Sequence, residues 1–281
     1  MRRRTTTKDK NRMMEENRNV RQQLTIRVGR GTLSFAMPDN NGQDILFEPY
    51  VVKSGVSMAA NMRDAFKQSD LLQQPLPTRC RILTDSDVLM VPVEMFSEDT
   101  MEEMHHHAFP HGEQDVILYN VLPDLNAVAV LSVNRDLRTV VDDHFHSVRF
   151  IAALSPVWRH LHQRSFTGTR YKLYGYFHEK RLEVFSFQKN RFRFCNSFDA
   201  ARSHDALYFL LYVWNQLQLQ PEFDELHIVG DIPDEEWLLQ ELRRYLQKVY
   251  VFNPSADFNR HPVTDIKSMP YDLQTLYVKG R

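Results

Sequence analysis

Histidines form the densest group of side chains in this sequence that could bind a metal ion. Four of them lie within seven residues: His105, His106, His107 and His111. Imidazole nitrogens are common zinc ligands, but consecutive helical residues project about 100° apart, so at most two of the first three could face one ion. Histidines are also favoured at the C-terminal end of a helix by the helix dipole. We therefore interpret the group as a solvated helix end and expect no metal site.

Glycine is scarce, which bears on phosphate chemistry. The chain has 9 glycines among 281 residues, about 3% against a usual ~7%. Loops that hold phosphates need clustered glycines, because backbone N–H groups must approach the anion closely. Neither G-x-x-x-x-G-K-[ST] nor G-x-G-x-x-G can be read in the sequence, and no G-x-S-x-G elbow is present. The sequence therefore gives no positive evidence for an enzyme with a phosphate-binding loop, a dinucleotide-binding turn or a serine nucleophile.

Composition indicates an ordinary globular chain. Basic and acidic side chains number 35 and 36, and 42% of the residues are hydrophobic, so a packed core in one large or two modest domains is expected. No apolar run reaches the roughly 18 residues of a membrane span. The two cysteines, Cys80 and Cys195, cannot build a disulfide framework. We expect a cytoplasmic protein.

The first 22 residues differ from the rest in charge. They carry eight basic and three acidic side chains, and no aromatic residue precedes Phe35. Such a segment buries too little apolar surface to fold alone, so residues 1–22 are predicted to be a disordered basic leader. The alternative is an electrostatic tail for nucleic acid or an anionic surface.

The elements that must position any site begin with a hairpin. Residues 24–28 alternate apolar and polar side chains, Gly29-Arg30-Gly31 supplies a turn, and two further strands follow. Ser57 then caps a helix. The second half opens in the same way, with strands at 171–177, 182–187 and 192–198, a helix that Ser203 is predicted to cap and that runs through Leu217, and later a strand at 226–229, a helix and a final strand at 249–252. The first of these helices has eight apolar positions that surround most of its circumference, so we expect it to be buried on more than one side: 206, 207, 209, 210, 211, 213, 214 and 217.

Two successive units of this order resemble the two lobes of the actin-like ATPase fold, a duplication of a ribonuclease-H-like unit. Residues 20 to about 255 are similar to an uncharacterised Bacteroidetes family described only by that fold and, beyond it, to the cytoplasmic scaffold proteins of type II secretion and type IV pilus systems. The resemblance implies an α/β fold with mixed sheets and two βββαβα lobes, at 23–165 and 166–256, with a C-terminal arm at 257–281. It implies no activity.

The sequence departs from the family pattern where phosphate would bind. Actin-like ATPases have Asp-x-Gly-[Ser/Thr] between their first two strands, whereas residues 27–32 here read R-V-G-R-G-T, with Arg27 in the place of the acid. The second lobe should read D-I-G-G-G-T-T-D, but residues 176–183 read Y-F-H-E-K-R-L-E. Glu179 would direct a negative charge at a phosphate. Arg27 also disfavours a ribonuclease-like site, which needs carboxylates around two metal ions.

One further turn, Val229-Gly230-Asp231 before a helix, is similar to the adenosine-side turn of the family. If a nucleotide is bound, the resemblance makes five residues the candidates for binding it: Gly29, Gly31, Thr32, Gly230 and Asp231. We expect no catalytic residues and no cofactor, with ATP and Mg²⁺ disfavoured.

The strands at 182–198 also interleave cations with aromatic residues. Arg181, Lys189, Arg191 and Arg193 alternate with Phe185, Phe187, Phe192 and Phe194. Such a sheet could stack RNA bases on its aromatics. The favoured interpretation is a two-sided strand with Phe192, Phe194 and Phe198 inward and the arginines outward.

Together these features predict a cytoplasmic, non-catalytic pseudo-ATPase that acts as a scaffold for an unidentified protein partner, with a homodimer left open. A nucleotide-binding switch or weak ATPase is the alternative. An RNA-binding module is the third class.

Overall fold

The computed structural model describes residues 23–39, 44–73, 79–109, 115–166, 170–188 and 191–278. The predicted leader at 1–22, His111 and the second turn of the meander at 189–190 lie outside the described residues. The strands run as follows: β1 Leu24–Val28, β2 Leu33–Pro38, β3 Ile45–Tyr50, β4 Arg79–Thr84, β5 Val88–Pro92, β6 Asp115–Leu122, β7 Ala127–Asn134, β8 Ser147–Ala152, β9 Lys172–His178, β10 Arg181–Gln188, β11 Arg191–Asp199, β12 Glu225–Gly230 and β13 Val249–Val251. The helices are α1 Met58–Gln68, α2 Met101–Ala108, α3 Arg135–Asp142, α4 Leu154–Ser165, α5 Ser203–Gln216, α6 Glu235–Tyr245, α7 Pro254–Asp257 and α8 Tyr271–Tyr277.

The chain divides into two compact units. Unit 1 consists of the described residues of Met1–Asp85, Gly112–Val116 and Val133–Ile151, and unit 2 of those in Ser86–His111, Ile117–Ser132 and Ala152–Arg281. The division follows the contacts between residues, so each unit includes segments that are distant from one another in the sequence. The lobe boundaries expected from the sequence therefore remain a prediction.

Two five-stranded sheets share one strand order. The sheet of unit 1 runs β3-β2-β1-β4-β8, with β1, β2 and β3 antiparallel and β4 parallel to β1. The sheet of unit 2 runs β11-β10-β9-β12-β13, with β9, β10 and β11 antiparallel and β12 parallel to β9. A third sheet has the order β5-β7-β6. The predicted mixed α/β fold and its duplication are confirmed.

Helix starts follow the predicted caps in part. Ser57 caps α1 as predicted, with its Oγ accepting from the Ala60 N–H at 3.2 Å. Asn134, which was not predicted to be a cap, accepts through Oδ1 from the first turn of α3. The prediction that Ser203 caps α5 is wrong, because Ser203 is the first helical residue and Arg202 holds the cap position. Ser203 is buried there, so tertiary packing decided its place.

The sheet of unit 2 is covered on both faces. On one face, α5 and α6 pack through a core that includes Leu210, Trp214 and Leu242. All eight apolar positions of α5 lie in or against this core, whereas Tyr208 and Tyr212 leave the outer face of the helix exposed. The opposite face packs against α4 and α8 through a second core that includes Trp158 and Tyr271.

A β-bulge changes the predicted facing of β11. The register shifts between Ser186 and Phe187, so that Phe187 pairs with Phe192 while Ser186 pairs with Phe194. Phe192 therefore packs in the core under α4, whereas Phe194 and Phe198 pack under α5. All three aromatics pack against a core, but the prediction that they share one face of the strand is wrong for Phe192, because the bulge inserts one residue between Phe192 and Phe194.

The described residues of the segment expected to form a C-terminal arm, 257–278, belong to unit 2. Asp257 binds α4 through His160 Nε2 and Arg164 Nη2, each 2.5 Å from a carboxylate oxygen. Tyr271 is buried and stacks on Phe258 at a centroid distance of 5.6 Å. Within the described residues, no helix is long and apolar enough to cross a bilayer.

Candidate functional site

The β1–β2 turn carries the first group of candidate ligands. The Gly29 N–H donates to the Thr32 carbonyl at 2.8 Å, and Gly31 and Thr32 are exposed. A Cβ added to Gly31 would meet no atom within 4 Å among the described residues, and Gly31 has no left-handed φ. Neither packing nor backbone conformation therefore requires a glycine at this position.

Arg27 lies directly behind this turn. Its side chain is only 2% exposed, and the residue pairs with Ser34 of β2 and Leu83 of β4. Arg27 Nη1 donates to Thr32 Oγ1 at 2.8 Å. A guanidinium stays charged at every physiological pH, and a buried charge needs hydrogen-bond partners. The candidate ligand Thr32 therefore serves as one partner of Arg27.

The β9–β10 turn is the corresponding turn of the second sheet. Glu179 and Lys180 form a two-residue connection with φ angles of 44° and 66°, as predicted for a polar turn here. Both residues are left-handed, which is the conformation of a type I′ hairpin that usually carries Asn-Gly. Each non-glycine residue in this left-handed conformation lowers the stability of the fold by about 1 kcal/mol or more. The backbone would accept glycine, yet the sequence supplies none.

Behind the β9–β10 turn lies a buried carboxylate. Glu183 Oε1 accepts a hydrogen bond from Ser197 Oγ at 2.6 Å and lies 3.3 Å from His178 Nε2. Tyr176 stacks on the His178 ring at a centroid distance of 4.7 Å. Ser197 and His178 both bind the carboxylate, whereas a catalytic triad places the histidine between serine and acid. The arrangement therefore does not activate a nucleophile.

Arg181 joins this cluster to the surface. Its Nε lies 3.7 Å from Glu183 Oε1, and it also binds Ser197, Asp87 and Asp199. Sequence reasoning missed this network. The two-residue turn could have indicated it, because Tyr176 pairs with Glu183 across the hairpin and His178 shares the face of Tyr176.

The Gly230-Asp231 turn follows β12. Gly230 has a φ of 101°, and an added Cβ would overlap the carbonyl oxygen of Phe177. The Asp231 N–H donates to that same oxygen at 2.9 Å. Strand packing thus accounts for Gly230, and the Asp231 amide is already occupied. The exposed acids Glu235 and Glu236 stand in the first turn of α6, where they oppose a phosphate.

The candidate ligands therefore form two separate groups. Gly29, Gly31 and Thr32 share one turn of unit 1, and Gly230 and Asp231 share one turn of unit 2. Their role in cofactor binding stays a prediction.

The predicted helix end with three histidines lies in α2. His105 is buried, with Nε2 3.2 Å from the Asp87 carbonyl oxygen, whereas His106 and His107 are exposed. No group of three or more metal-binding side chains is found in the described part of the chain.

The two cysteines are free and do not form reactive thiolates. Burial is the main cause that raises the pKa of both Cys80 and Cys195 above the ordinary value of a thiol. The protonated thiol is a poor nucleophile and a poor metal ligand.

Two mixed sheets of the same strand order, each opening on three antiparallel strands, define a protein of the actin-like ATPase fold. The chain belongs to the family described as protein of unknown function (DUF3822), whose model matches residues 11–249. No curated protein sequence matches the chain.

Solved structures show the same fold. The chain is 25% identical to a protein with actin-like ATPase fold and unknown function from Bacteroides thetaiotaomicron VPI-5482, with a TM-score of 0.82 over 94% of this chain and 98% of that one. It is also similar to a chain of the PilM-PilN type IV pilus biogenesis complex, with 11% identity and a TM-score of 0.56 over 91% and 97% of the two chains. The second likeness concerns the fold alone.

Proposed function

We propose that the protein is a non-catalytic scaffold of the actin-like fold that works in the cytoplasm, binds another protein and holds neither ATP nor Mg²⁺. Arg27 carries the proposal. It is buried on the first strand, at the position where the resemblance to the actin-like ATPases expects an acid, and it donates to Thr32. A fixed positive charge there repels a metal ion that an acid would hold.

The second turn supports the same conclusion. Phosphate-binding turns present several backbone N–H groups to the anion, and glycines allow that approach. Here Glu179 and Lys180 form the turn, and Glu183 places a buried carboxylate behind it. The guanidinium of Arg181 lies 3.7 Å from the Glu183 carboxylate, and the hydroxyl of Ser197 donates a hydrogen bond to it, so the carboxylate already has partners within the protein.

The proposed partner is a protein because the fold occurs in a complex of that kind. The PilM-PilN structure is named as a type IV pilus biogenesis complex, and its fold matches most of this chain. The identity of the partner is not part of the proposal.

A calorimetric titration of the full chain with ATP and ADP, in the presence of Mg²⁺, tests the loss of nucleotide binding. We expect no heat of binding and no release of phosphate, with an actin-like ATPase as positive control. Tight binding with turnover would overturn the proposal. Binding without turnover that is lost in Gly31→Val would favour the nucleotide-binding switch, because the space around Gly31 admits a side chain without disturbing the fold.

The scaffold role needs its own measurement. The tagged full chain, purified from its own cells, should retain a protein in fixed stoichiometry, and adding ATP with Mg²⁺ should leave the complex intact. Dissociation on adding ATP would contradict a nucleotide-independent scaffold.

A further inference from the structure

One end of the sheet of unit 2 carries an arginine–aromatic cluster, defined as Arg170, Tyr171, Arg193, Phe223 and Lys248. Tyr171 and Lys248 directly precede the parallel strands β9 and β13, and Phe223 lies shortly before β12. The guanidinium carbon of Arg170 lies 5.0 Å from the centroid of the Phe223 ring, and that of Arg193 lies 5.0 Å from the centroid of the Tyr171 ring. Two neighbouring cation–π pairs therefore share this end of the sheet.

Both rings stay accessible while the backbone that carries them is held in place. Phe223 is 44% exposed and Tyr171 is 43% exposed. The Tyr171 N–H donates to Asp224 Oδ1 at 3.1 Å, and the Glu225 N–H donates to the Tyr171 carbonyl at 3.0 Å. Lys248 Nζ donates to the Phe223 carbonyl at 3.2 Å. Rings that are fixed in this way lose little conformational entropy when another flat group stacks on them.

The cations of the cluster are not neutralised by acids of the protein. Within the part of the chain that the structure describes, Arg170, Arg193 and Lys248 form no ion pair, and Arg193 Nη2 and Lys248 Nζ each donate to a backbone carbonyl. The nearby carboxylate of Asp224 is buried and accepts from two backbone N–H groups instead. The adjacent Glu222 is exposed, so three cations stand against one available acid and the surface is net positive.

We propose that the arginine–aromatic cluster binds single-stranded nucleic acid, with bases stacked on the rings of Tyr171 and Phe223 and phosphates held by the three cations. A single strand exposes flat base faces and negative charges next to each other, and proteins bind it through aromatic rings beside cations. Bases also stack on guanidinium planes. This ligand therefore accounts for both the exposed rings and the uncompensated positive charge.

Other classes of partner match only part of this surface. A duplex keeps its base faces stacked inside, so it would contact the cations without using the rings. An acidic protein segment or an anionic membrane supplies negative charge but no row of flat bases. An uncharged apolar partner would bury three cations without counterparts. The inference does not rest on the proposed function, since the cluster shares no residue with the three candidate turns.

Fluorescence anisotropy of the full chain with a labelled oligouridylate of about 12 nucleotides tests the stacking. We expect a Kd in the micromolar range at low salt. Phe223→Ala should weaken binding about fivefold or more, whereas Phe223→Trp keeps a ring and should preserve it. Tyr208→Ala is the matched control and should leave binding unchanged, because Tyr208 is 62% exposed on the outer face of α5 and stacks on Tyr212.

The salt dependence of the same titration tests the cations. Arg170→Gln should make the slope of log K against log salt about 0.7 less steep, the value for one phosphate contact on a single strand. Arg63→Gln removes the same charge at an exposed position of α1 and should not change the slope.

Three outcomes would overturn the inference. The first is no binding at low salt. The second is binding that Phe223→Ala leaves unchanged, which would place the contact on another basic segment such as residues 1–22. The third is equal affinity for a duplex of the same length or for vesicles that contain phosphatidylserine, which would make the surface a purely electrostatic one.

Discussion

The β1–β2 and β9–β10 turns occupy equivalent places in two sheets of the same strand order, yet they are built in opposite ways. The first turn has glycines, but Gly31 has open space around it and no left-handed φ. The second has two left-handed residues, Glu179 and Lys180, but no glycine. The difference shows that a glycine can be present where the backbone does not need one, and can be absent where the backbone conformation favours one.

The Gly230 turn completes this comparison, because there the glycine and the need for it coincide. Its positive φ and its contact with β9 exclude any side chain. The scarcity of glycine in the sequence therefore does not by itself locate a former ligand site. Each position has to be judged by its own φ and its own neighbours.

Replacing Gly230 by alanine should cause the largest loss of stability. The new Cβ would overlap the Phe177 carbonyl oxygen and lie 2.9 Å from its carbon, at a φ that disfavours side chains. We expect the free energy of unfolding to fall by more than about 4 kcal/mol, measured by urea denaturation. The matched variant Gly31→Ala should change it by less than about 1 kcal/mol. Similar losses in the two variants would refute the comparison.

Glu183→Gln should give the next largest effect. The change removes a buried negative charge on which His178, Arg181 and Ser197 converge. We expect a loss of about 2–4 kcal/mol in the free energy of unfolding. Asp199→Asn is the control, because Asp199 contacts the same Arg181 but is 92% exposed. If Asp199→Asn lowered the free energy of unfolding as much as Glu183→Gln, burial of the carboxylate would not explain its contribution to stability.

The β9–β10 turn should gain stability from the residues that its backbone favours. Replacing Glu179 by asparagine and Lys180 by glycine relieves two left-handed side chains, which is expected to add about 1–2 kcal/mol to the free energy of unfolding. The change should raise the Tm by about 2–8 °C in calorimetry.

A matched control exists in the β1–β2 turn. Arg30→Asn creates the same Asn-Gly pair there, where neither Arg30 nor Gly31 has a left-handed φ. No comparable gain is expected, and an equal rise of the Tm in both turns would contradict the geometric explanation.

The smallest effect on stability is expected from protonation of His227 at low pH. His227 lies on β12, the strand that ends at Gly230. Burial is the main cause that lowers the pKa of His227 below its ordinary value of 6.5, although Glu225 opposes the shift. The unfolded chain therefore binds a proton more readily than the folded one. The contribution of His227 to the free energy of unfolding should be fully present above pH 6.5 and should decline as the pH falls toward the lower folded-state pKa.

Urea midpoints across this pH range would measure the decline. His227→Phe keeps an aromatic ring between Tyr174 and Tyr250 but removes the titrating group, so the variant should show a flatter profile. His107→Gln, at an exposed position of α2, is the matched control for the removal of a histidine. A wild-type profile retained in His227→Phe would contradict the assignment.

Local patterns in the sequence predicted much of the fold. The three-stranded meander, the cap at Ser57 and the eight apolar positions of α5 follow from periodicity and cap chemistry, which involve neighbouring residues. The prediction failed at Ser203 and at the facing of Phe192, because packing and a bulge depend on distant strands.

The candidate site was less accessible to sequence reasoning. The sequence itself shows that residues 27–32 and 176–183 differ from the pattern that the resemblance to the actin-like ATPases leads one to expect. The network of Glu183 with Arg181 and Ser197 is not visible in the sequence, because it joins residues on β10 and β11 whose pairing depends on the hairpin register.

The sequence by itself thus determined the order of the elements, the duplication of the three-strand opening and the residue types at each candidate turn. Only the tertiary structure decided what those residues do. Arg27 binds Thr32 because the β1–β2 hairpin brings them together, and Gly230 is required because β12 passes close to Phe177 of β9. Residue type follows from local sequence, whereas burial, pairing and steric need arise between segments that are distant along the chain.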